Sequence, residues 1–210
     1  MSVVSAEKLS YGFGSRTLLR GLSFSLKPGE LLLVSGPNGV GKSTLLQIIL
    51  GFPPAEVLSG TFNVSVRPDE IAWIPQVENP EFHLPITLRD VLEMASDKTL
   101  DEAQAIDFGL LTPAQLSRSW NQASGGERKR TLVTRALLHK PKLLLLDEPL
   151  NHLDNESRSI LTESLSRYLR EQGGAAIVVS HDAFSGRELS LFRRHELLIE
   201  SDRFRLESHE

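Results

Sequence analysis

The sequence predicts an α/β fold: a mainly parallel sheet, an antiparallel β subdomain at the N-terminal end and a short helical subdomain. Three observations predict it. A glycine-rich loop, Gly36-Pro37-Asn38-Gly39-Val40-Gly41-Lys42-Ser43-Thr44, stands between an apolar run and a helix-like segment. Lys142-Leu143-Leu144-Leu145-Leu146 and Ala175 to Val179 are continuous apolar runs, the pattern of strands covered on both faces in a parallel sheet. The segments ahead of the loop alternate instead and are punctuated by turn residues, as antiparallel strands do.

In chain order, Val3 to Phe24 is broken at Tyr11-Gly12-Phe13-Gly14 and at Arg20-Gly21, which gives an antiparallel meander. Lys27-Pro28-Gly29-Glu30 is a turn, and Leu31 to Val34 is a buried strand running into the loop. Lys42 to Leu50 reads as a helix stopped by Gly51 and Pro53. Gly60 to Val66 and Glu70 to Ile74 are strands, the second ending in Pro75-Gln76. Prolines break regularity between Asn79 and Pro85, and helices follow at Leu88 to Met94, Leu100 to Phe108 and from Pro113 to Leu116. These make up a helical subdomain at about 80–124, within one domain of 210 residues.

Ser124-Gly125-Gly126-Glu127 leads into a helix over Arg128 to His139, closed off by Pro141. The apolar strand that follows ends in Asp147-Glu148-Pro149. Leu161, Leu165, Tyr168 and Leu169 mark an amphipathic helix over Asn155 to Gln172, capped by Asp154 and ended by Gly173-Gly174. Ala175 to Val179 then runs into Ser180-His181-Asp182, and Glu196 to Glu207 is a hairpin about Asp202-Arg203.

Composition narrows the function classes. An apolar fraction of 40% with 24% charged residues is that of a soluble globular chain. A net charge of -4 gives no general attraction to a polyanion, so nucleic acid is not expected as a ligand. The local exception, Arg128-Lys129-Arg130, reads as a solvated helix face without aromatic residues to stack bases. Without cysteine there are no disulfides and no thiolate chemistry, and no H-E-x-x-H arrangement supports a zinc site. Met1 to Glu7 lacks the basic flank and apolar core of a signal peptide, and no apolar run is long enough to span a bilayer.

The chemistry gathers where four strands end. A triphosphate tail needs several donors at close range, and Gly36, Gly39 and Gly41 let the backbone wrap it. The helix starting near Lys42 offers free N–H groups and a positive dipole end, Lys42 adds a charge, and the Ser43 hydroxyl can ligate magnesium. Gln76, the Asp147-Glu148 pair and His181 each follow another strand directly, and ligands of open α/β sheets sit outside those strand ends. Taken singly, Gln76 reads as a loop glutamine, the carboxylates as a turn cap and His181 as a core histidine. Together they supply phosphoryl transfer to water, with Asp147 serving magnesium and Glu148 deprotonating the attacking water.

Ser124-x-x-Glu127 is a capping box, and Gly125 with Gly126 leaves the helix start open to an anion. A second phosphate cradle in one chain reads as the helix start of one molecule meeting the nucleotide of another.

These motifs resemble those of ATP-binding cassette (ABC) ATPases over nearly the whole chain. The resemblance rests on Tyr11 as adenine-stacking aromatic, the Walker A loop Gly36 to Thr44, Gln76 as Q-loop and Ala123 to Glu127 as signature. It extends to Leu143 to Glu148 as Walker B, Asn151-His152-Leu153-Asp154 as D-loop and His181 as switch histidine. It implies a P-loop NTPase core that binds ATP and Mg2+, with Glu148, His181, Lys42 and Gln76 catalytic and Ser43, Gln76 and Asp147 around the metal. It further implies a head-to-tail homodimer on ATP binding, in which Ser124, Gly125 and Gly126 of one copy reach the nucleotide of the other. The expected partner is a transmembrane permease subunit at the cytoplasmic face of a membrane.

Ala123, Glu127, Val40 and Leu150 depart from the family's usual leucine, glutamine, alanine and threonine, and none removes a donor or charge from the site. The span from Gln76 to Ser124 is short for the family, and that region is where transporter cassettes meet their membrane subunits. Ile71 to Gln76 and Leu84 to Val91 look like the cassettes of bacterial zinc and manganese importers. The rival reading is a soluble ABC ATPase acting on ribosomes or DNA. Such members carry paired cassettes with a basic linker or long coiled coils, and this sequence has neither.

Overall fold

A computed structural model describes residues 1–76, 85–94, 106–151, 153–181, 184, 186–200 and 203–209. Two sheets organise them. β1 (Val4–Phe13) pairs antiparallel with β2 (Arg16–Leu26) and β4 (Glu56–Val64), in the order β2-β1-β4. The larger sheet runs β5-β6-β7-β3-β8-β9, from β5 (Ile71–Ile74), β6 (Leu143–Asp147), β7 (Ala175–Val179), β3 (Glu30–Ser35) and β8 (Arg193–Glu200) to β9 (Arg203–His209). Every pair in it is parallel except β8 with β9. The mainly parallel core and the antiparallel subdomain are both as the sequence predicts.

The continuous apolar runs are central strands because they serve two cores at once. Leu32, Val34, Leu143, Leu145 and Ile177 face a cluster shared with the antiparallel sheet and with α1 (Lys42–Leu50). Their neighbours Leu31, Leu33, Leu144, Leu146 and Val178 face a second cluster. That one is closed by α4 (Gly125–Leu138) and by α5 (Asn155–Arg167), which continues in a π-turn over Tyr168–Gln172. Strands of period two need apolar residues at every position when both faces are covered.

A third, smaller core holds the helical part. α2 (Leu88–Glu93) contributes Leu88, Val91 and Leu92, α3 (Pro113–Leu116) contributes Leu116, and Trp120 fills the space between them. Thr87 caps α2 by accepting from the Asp90 N–H while the Asp90 carboxylate accepts from Thr87 N–H at 2.6 Å. The expected helix at Leu100 to Phe108 and the breaks at Asn79 to Pro85 fall mostly outside the described residues.

Several boundaries move. α4 begins at Gly125 rather than Arg128, β4 begins at Glu56 rather than Gly60, and β8 begins at Arg193 rather than Glu196. β4 shows no alternation because nearly all of it is exposed, so its sequence carries no period to read. A short helix, α6 (Gly186–Leu189), follows β7 without a sequence signal. None of the helices among the described residues is long and apolar enough to cross a membrane.

β1 also contains a bulge at Lys8. Lys8 has φ +51°, and pairing to β2 shifts between Ala6 and Leu9. Opposite it, a Cβ on Gly60 would lie 2.3 Å from the Lys8 carbonyl oxygen, so only glycine lets the strands close there. The extra residue turns the buried positions from Val4 and Ala6 to Leu9 and Tyr11.

The double-sided packing of β6 sets a measurable cost. Leu145→Ala, at a position with no exposure, should lower unfolding free energy by about 3 kcal/mol. Urea denaturation should show a lower midpoint at unchanged slope, and an unchanged midpoint would contradict the placement of Leu145 between two packed layers.

Candidate active site

The parallel register brings four strand ends to one edge. Val34 pairs with Val179, Val179 with Asp147, and Leu146 with Ile74. The residues just beyond them line a single cleft of about 390 Å³: Asn38, Gly39 and Gly41 to Thr44 from the loop, with Gln76, Glu148 and His181. Residues far apart in sequence thus meet as the strand-end argument requires. Gly36, Pro37 and Val40 line adjoining clefts, and the Val40 side chain packs into the first core.

Lys42 is the buried cation of this edge, 6% exposed. Its ammonium donates to the Gly36 carbonyl at 2.8 Å and the Pro37 carbonyl at 3.0 Å, which draws the loop around it. α1 begins without any side-chain cap, so its first N–H groups are available to an anion in the cleft. Gly41, with φ +107°, makes the turn into the helix.

Asp147 ends β6 and is 6% exposed. Burial raises its carboxyl above the ordinary value, and the adjacent Glu148 raises it further. The Ser43 hydroxyl, which donates to it, and the Lys129 and Lys42 cations pull the other way. Among the described residues, Asp147 Oδ1 is buried without a hydrogen-bond partner. Asp147 lies behind the cleft that Ser43 and Gln76 line, and its orphaned oxygen beside the Ser43 hydroxyl is a donor set for a hard divalent cation.

Glu148 is 4% exposed and has φ +50°, a conformation costly for a side chain with a Cβ. Its N–H donates to Val179 O at 2.8 Å, so β7 holds the backbone there. Its Oε2 accepts from His181 N–H at 3.2 Å and lies 3.0 Å from His181 Nδ1. Backbone and ring together aim one carboxylate oxygen.

Ser124 caps α4 from outside this cleft. Its hydroxyl accepts from Glu127 N–H at 3.2 Å, and Glu127 Oε2 accepts from Ser124 N–H at 2.8 Å. Burial alone would raise the Glu127 carboxyl, but bonds from Ser124 N–H, Arg118 and Gln115 outweigh it and hold it below the usual value. Arg118 reaches Glu127 Oε1 at 2.6 Å, which anchors the helix start to the helical part. Ser124 and Gly125 are exposed, and neither they nor Gly126 line the Lys42 cleft. His152 and Asp182 fall outside the described residues.

Two expectations need correction. Tyr11 does not offer a face to a purine: its ring is fully buried in the first core, and its hydroxyl donates to Gly41 O at 3.2 Å. The aromatic that lines the cleft is Phe13, on the same side of β1, with Arg16 beside it. Residue types alone do not separate Phe13 from Tyr11 two positions away on the same side of the strand, and Arg16 reaches the cleft only through the pairing of β2 with β1.

The basic triplet is also no solvated face. Arg128 bonds the Trp120 and Asn121 carbonyls at 2.9 Å and covers the Trp120 ring, and Arg130 holds Leu110 O and Ser157 Oγ. Lys129 is half-buried, its ammonium lowered by desolvation and raised again by Asp147 and Glu148.

Comparison with known proteins agrees with this geometry. Residues 19–151 match the protein family described as ABC transporter. The chain is 34% identical over 183 residues to the zinc import ATP-binding protein ZnuC of Jannaschia sp. (strain CCS1), covering 87% of this chain and 74% of that one. It is 36% identical over 185 residues to ZnuC of Yersinia pestis bv. Antiqua (strain Antiqua), covering 86% and 70%.

A solved structure described as an inward-facing metal-chelate type ABC transporter superposes with a TM-score of 0.80 at 25% identity, over 99% of this chain and 84% of that one. An ATP-binding subunit of an ABC transporter gives a TM-score of 0.76 at 23% identity, over 99% and 90%, and shows the shared fold. The resemblance read from the motifs therefore stands on independent grounds, and the chain belongs to the ABC transporter family as an ATPase.

Proposed function

We propose that the chain binds Mg2+ and ATP in the Lys42 cleft and hydrolyses the terminal phosphate, energising a separate membrane permease that imports a metal ion. The observation that carries this is the meeting of Lys42, Ser43, Gln76, Glu148 and His181 on one cleft, beside an unpartnered Asp147 oxygen. Each has a role its position allows. Loop N–H groups at Asn38, Gly39, Val40, Gly41 and Thr44, with Lys42, hold the phosphate tail, and Phe13 takes the adenine. Ser43 and Asp147, with Gln76, would hold magnesium, which neutralises phosphate charge. Glu148 accepts the proton of the attacking water, and His181 keeps that carboxylate aimed.

The site is completed by a second copy. Ser124 and Gly125 are exposed at the start of α4 and away from the Lys42 cleft of their own chain, which supports their reaching another chain's nucleotide along with Gly126. Two equivalent sites in a head-to-tail homodimer follow. ZnuC of Jannaschia sp. and of Yersinia pestis is named as the ATP-binding protein of zinc import, which supports metal-ion import as the task. A position at the cytoplasmic face, against the permease, goes with that reading.

Three outcomes test it. Glu148→Gln should bind ATP as the wild type does while turning over about a hundred to ten thousand times more slowly, and near-normal phosphate release would remove Glu148 from the role of base. Ser124→Arg should abolish ATP-dependent dimers in light scattering without weakening nucleotide binding by the single subunit. Dimers that persist in that variant would contradict a site shared between copies. Extraction of membranes in detergent should recover a polytopic subunit with the tagged chain, and repeated recovery of ribosomal particles or DNA instead would favour the soluble class.

A further inference from the structure

Tyr11 presents no ring face to the cleft, yet it touches the phosphate loop at Gly41, where the loop turns into the helix. Its hydroxyl donates to the Gly41 carbonyl at 3.2 Å, and the same carbonyl accepts from Leu45 N–H at 3.2 Å in the first bond of α1. Two donors, the buried Tyr11 hydroxyl and a backbone N–H of the helix, fix the direction of one carbonyl. A peptide unit is planar and trans, so the Gly41 carbonyl and the Lys42 N–H point in opposite directions. Holding the carbonyl inward therefore holds the Lys42 N–H outward, into the cleft.

The loop needs such a brace. Gly41 has φ +107°, where glycine alone is at ease, and a glycine peptide can rotate where other residues are confined. Leu18 walls the position from one side, its Cβ and Cδ1 each 3.2 Å from where a Cβ on Gly41 would stand. Tyr11 Cε2 walls it from another at 3.6 Å.

The delivery of Tyr11 is built into the strand. Pairing of β1 shifts on both sides of it, between Leu9 and Tyr11 and between Tyr11 and Gly12 toward β2, and between Ser10 and Tyr11 toward β4. Bulges re-aim a side chain, and without the one at Lys8 the buried parity set by Val4 and Ala6 would turn Tyr11 outward. Burial pushes the phenol well above its ordinary value, so the hydroxyl remains a donor throughout the physiological range.

We propose that Tyr11 is a positioning residue for the phosphate tail, pinning the Gly41 carbonyl so that the Lys42 N–H is preset toward the anion. This rests on the reading of the loop as the ATP cradle. It separates recognition of phosphate, braced by Tyr11, from recognition of the base, assigned to Phe13. Two aromatic residues of one strand thus serve two ends of one ligand.

Tyr11→Phe keeps the ring in the core and removes only the oxygen. Titration calorimetry on the full chain with ATP, and separately with inorganic tripolyphosphate, should show both weakened by about three- to tenfold, the range of one hydrogen bond. The KM for ATP should rise by a similar factor. Phe13→Ala should weaken ATP and leave tripolyphosphate unchanged. ATP affinity equal to wild type in Tyr11→Phe would overturn the proposal, whether or not the melting temperature falls. A loss for ATP with none for tripolyphosphate would also overturn it, since that marks contact with the base.

On the wild-type chain, which needs no variant to fold, the Lys42 amide resonance should move downfield when tripolyphosphate is added. A Lys42 amide that stays in place while tripolyphosphate binds would refute the presetting of that N–H. Wild-type protein that binds neither ATP nor tripolyphosphate would overturn the proposed function itself, and this inference with it.

Discussion

Parallel strands buried on both faces can release polar side chains in only one place, their ends. The apolar runs 31–34 of β3, 143–146 of β6 and 175–179 of β7 have no position where a charge could face water, because alternate residues of each meet one core and their neighbours the other. Lys42, Asp147, Glu148 and His181 all lie beyond or at the last residue of those strands. The apolar runs and the reactive edge are therefore one feature: dry strands concentrate whatever is polar at their carboxyl ends. The antiparallel sheet adds Phe13 and Arg16 to the lining of this edge.

Much of this is legible from residue order. A strand of four leucines followed by Asp147-Glu148, or a strand followed by three spaced glycines and Lys42, declares both its burial and its end. Gln76 and His181 carry no such weight singly and become readable only through the strands they follow. What sequence conceals is parity and tertiary capture. The bulge at Lys8 exchanges the roles of the two faces of β1, and lysine is no marker of positive φ. The basic triplet is turned inward by acceptors at Leu110, Trp120, Asn121 and Ser157, which lie on other segments and leave no trace within the triplet itself.

The reactive edge is held by its neighbours against its own preferences. Two adjacent carboxylates at low exposure repel each other and lose water, and one of them sits in a backbone region that costs about 1–3 kcal/mol. The bond that Glu148 N–H donates to Val179 O and the one its carboxylate accepts from His181 N–H fix the second carboxylate in place. Asp147 is served by Ser43 on one oxygen only. Strain of this kind persists where the surroundings over-determine a geometry, and here the surroundings are β7 and α1.

Helix α4 ties the two ends of the proposed shared site together. Its first turn offers Ser124 and Gly125 outward, while Lys129, four residues beyond Gly125 and about 6 Å along the axis, acts on Asp147 and Glu148. Over so short a distance a helix is a rigid rod. The start of that rod is fastened to the helical part by Arg118 on Glu127, and its body to α5 by Arg130 on Ser157. The surface proposed to meet a second copy and the Lys129 charge that acts on the carboxylates are therefore carried by one element. Where the helical part goes, both must follow, since the alternative is to strip a buried carboxylate of the Arg118, Gln115 and Ser124 donors that keep it charged.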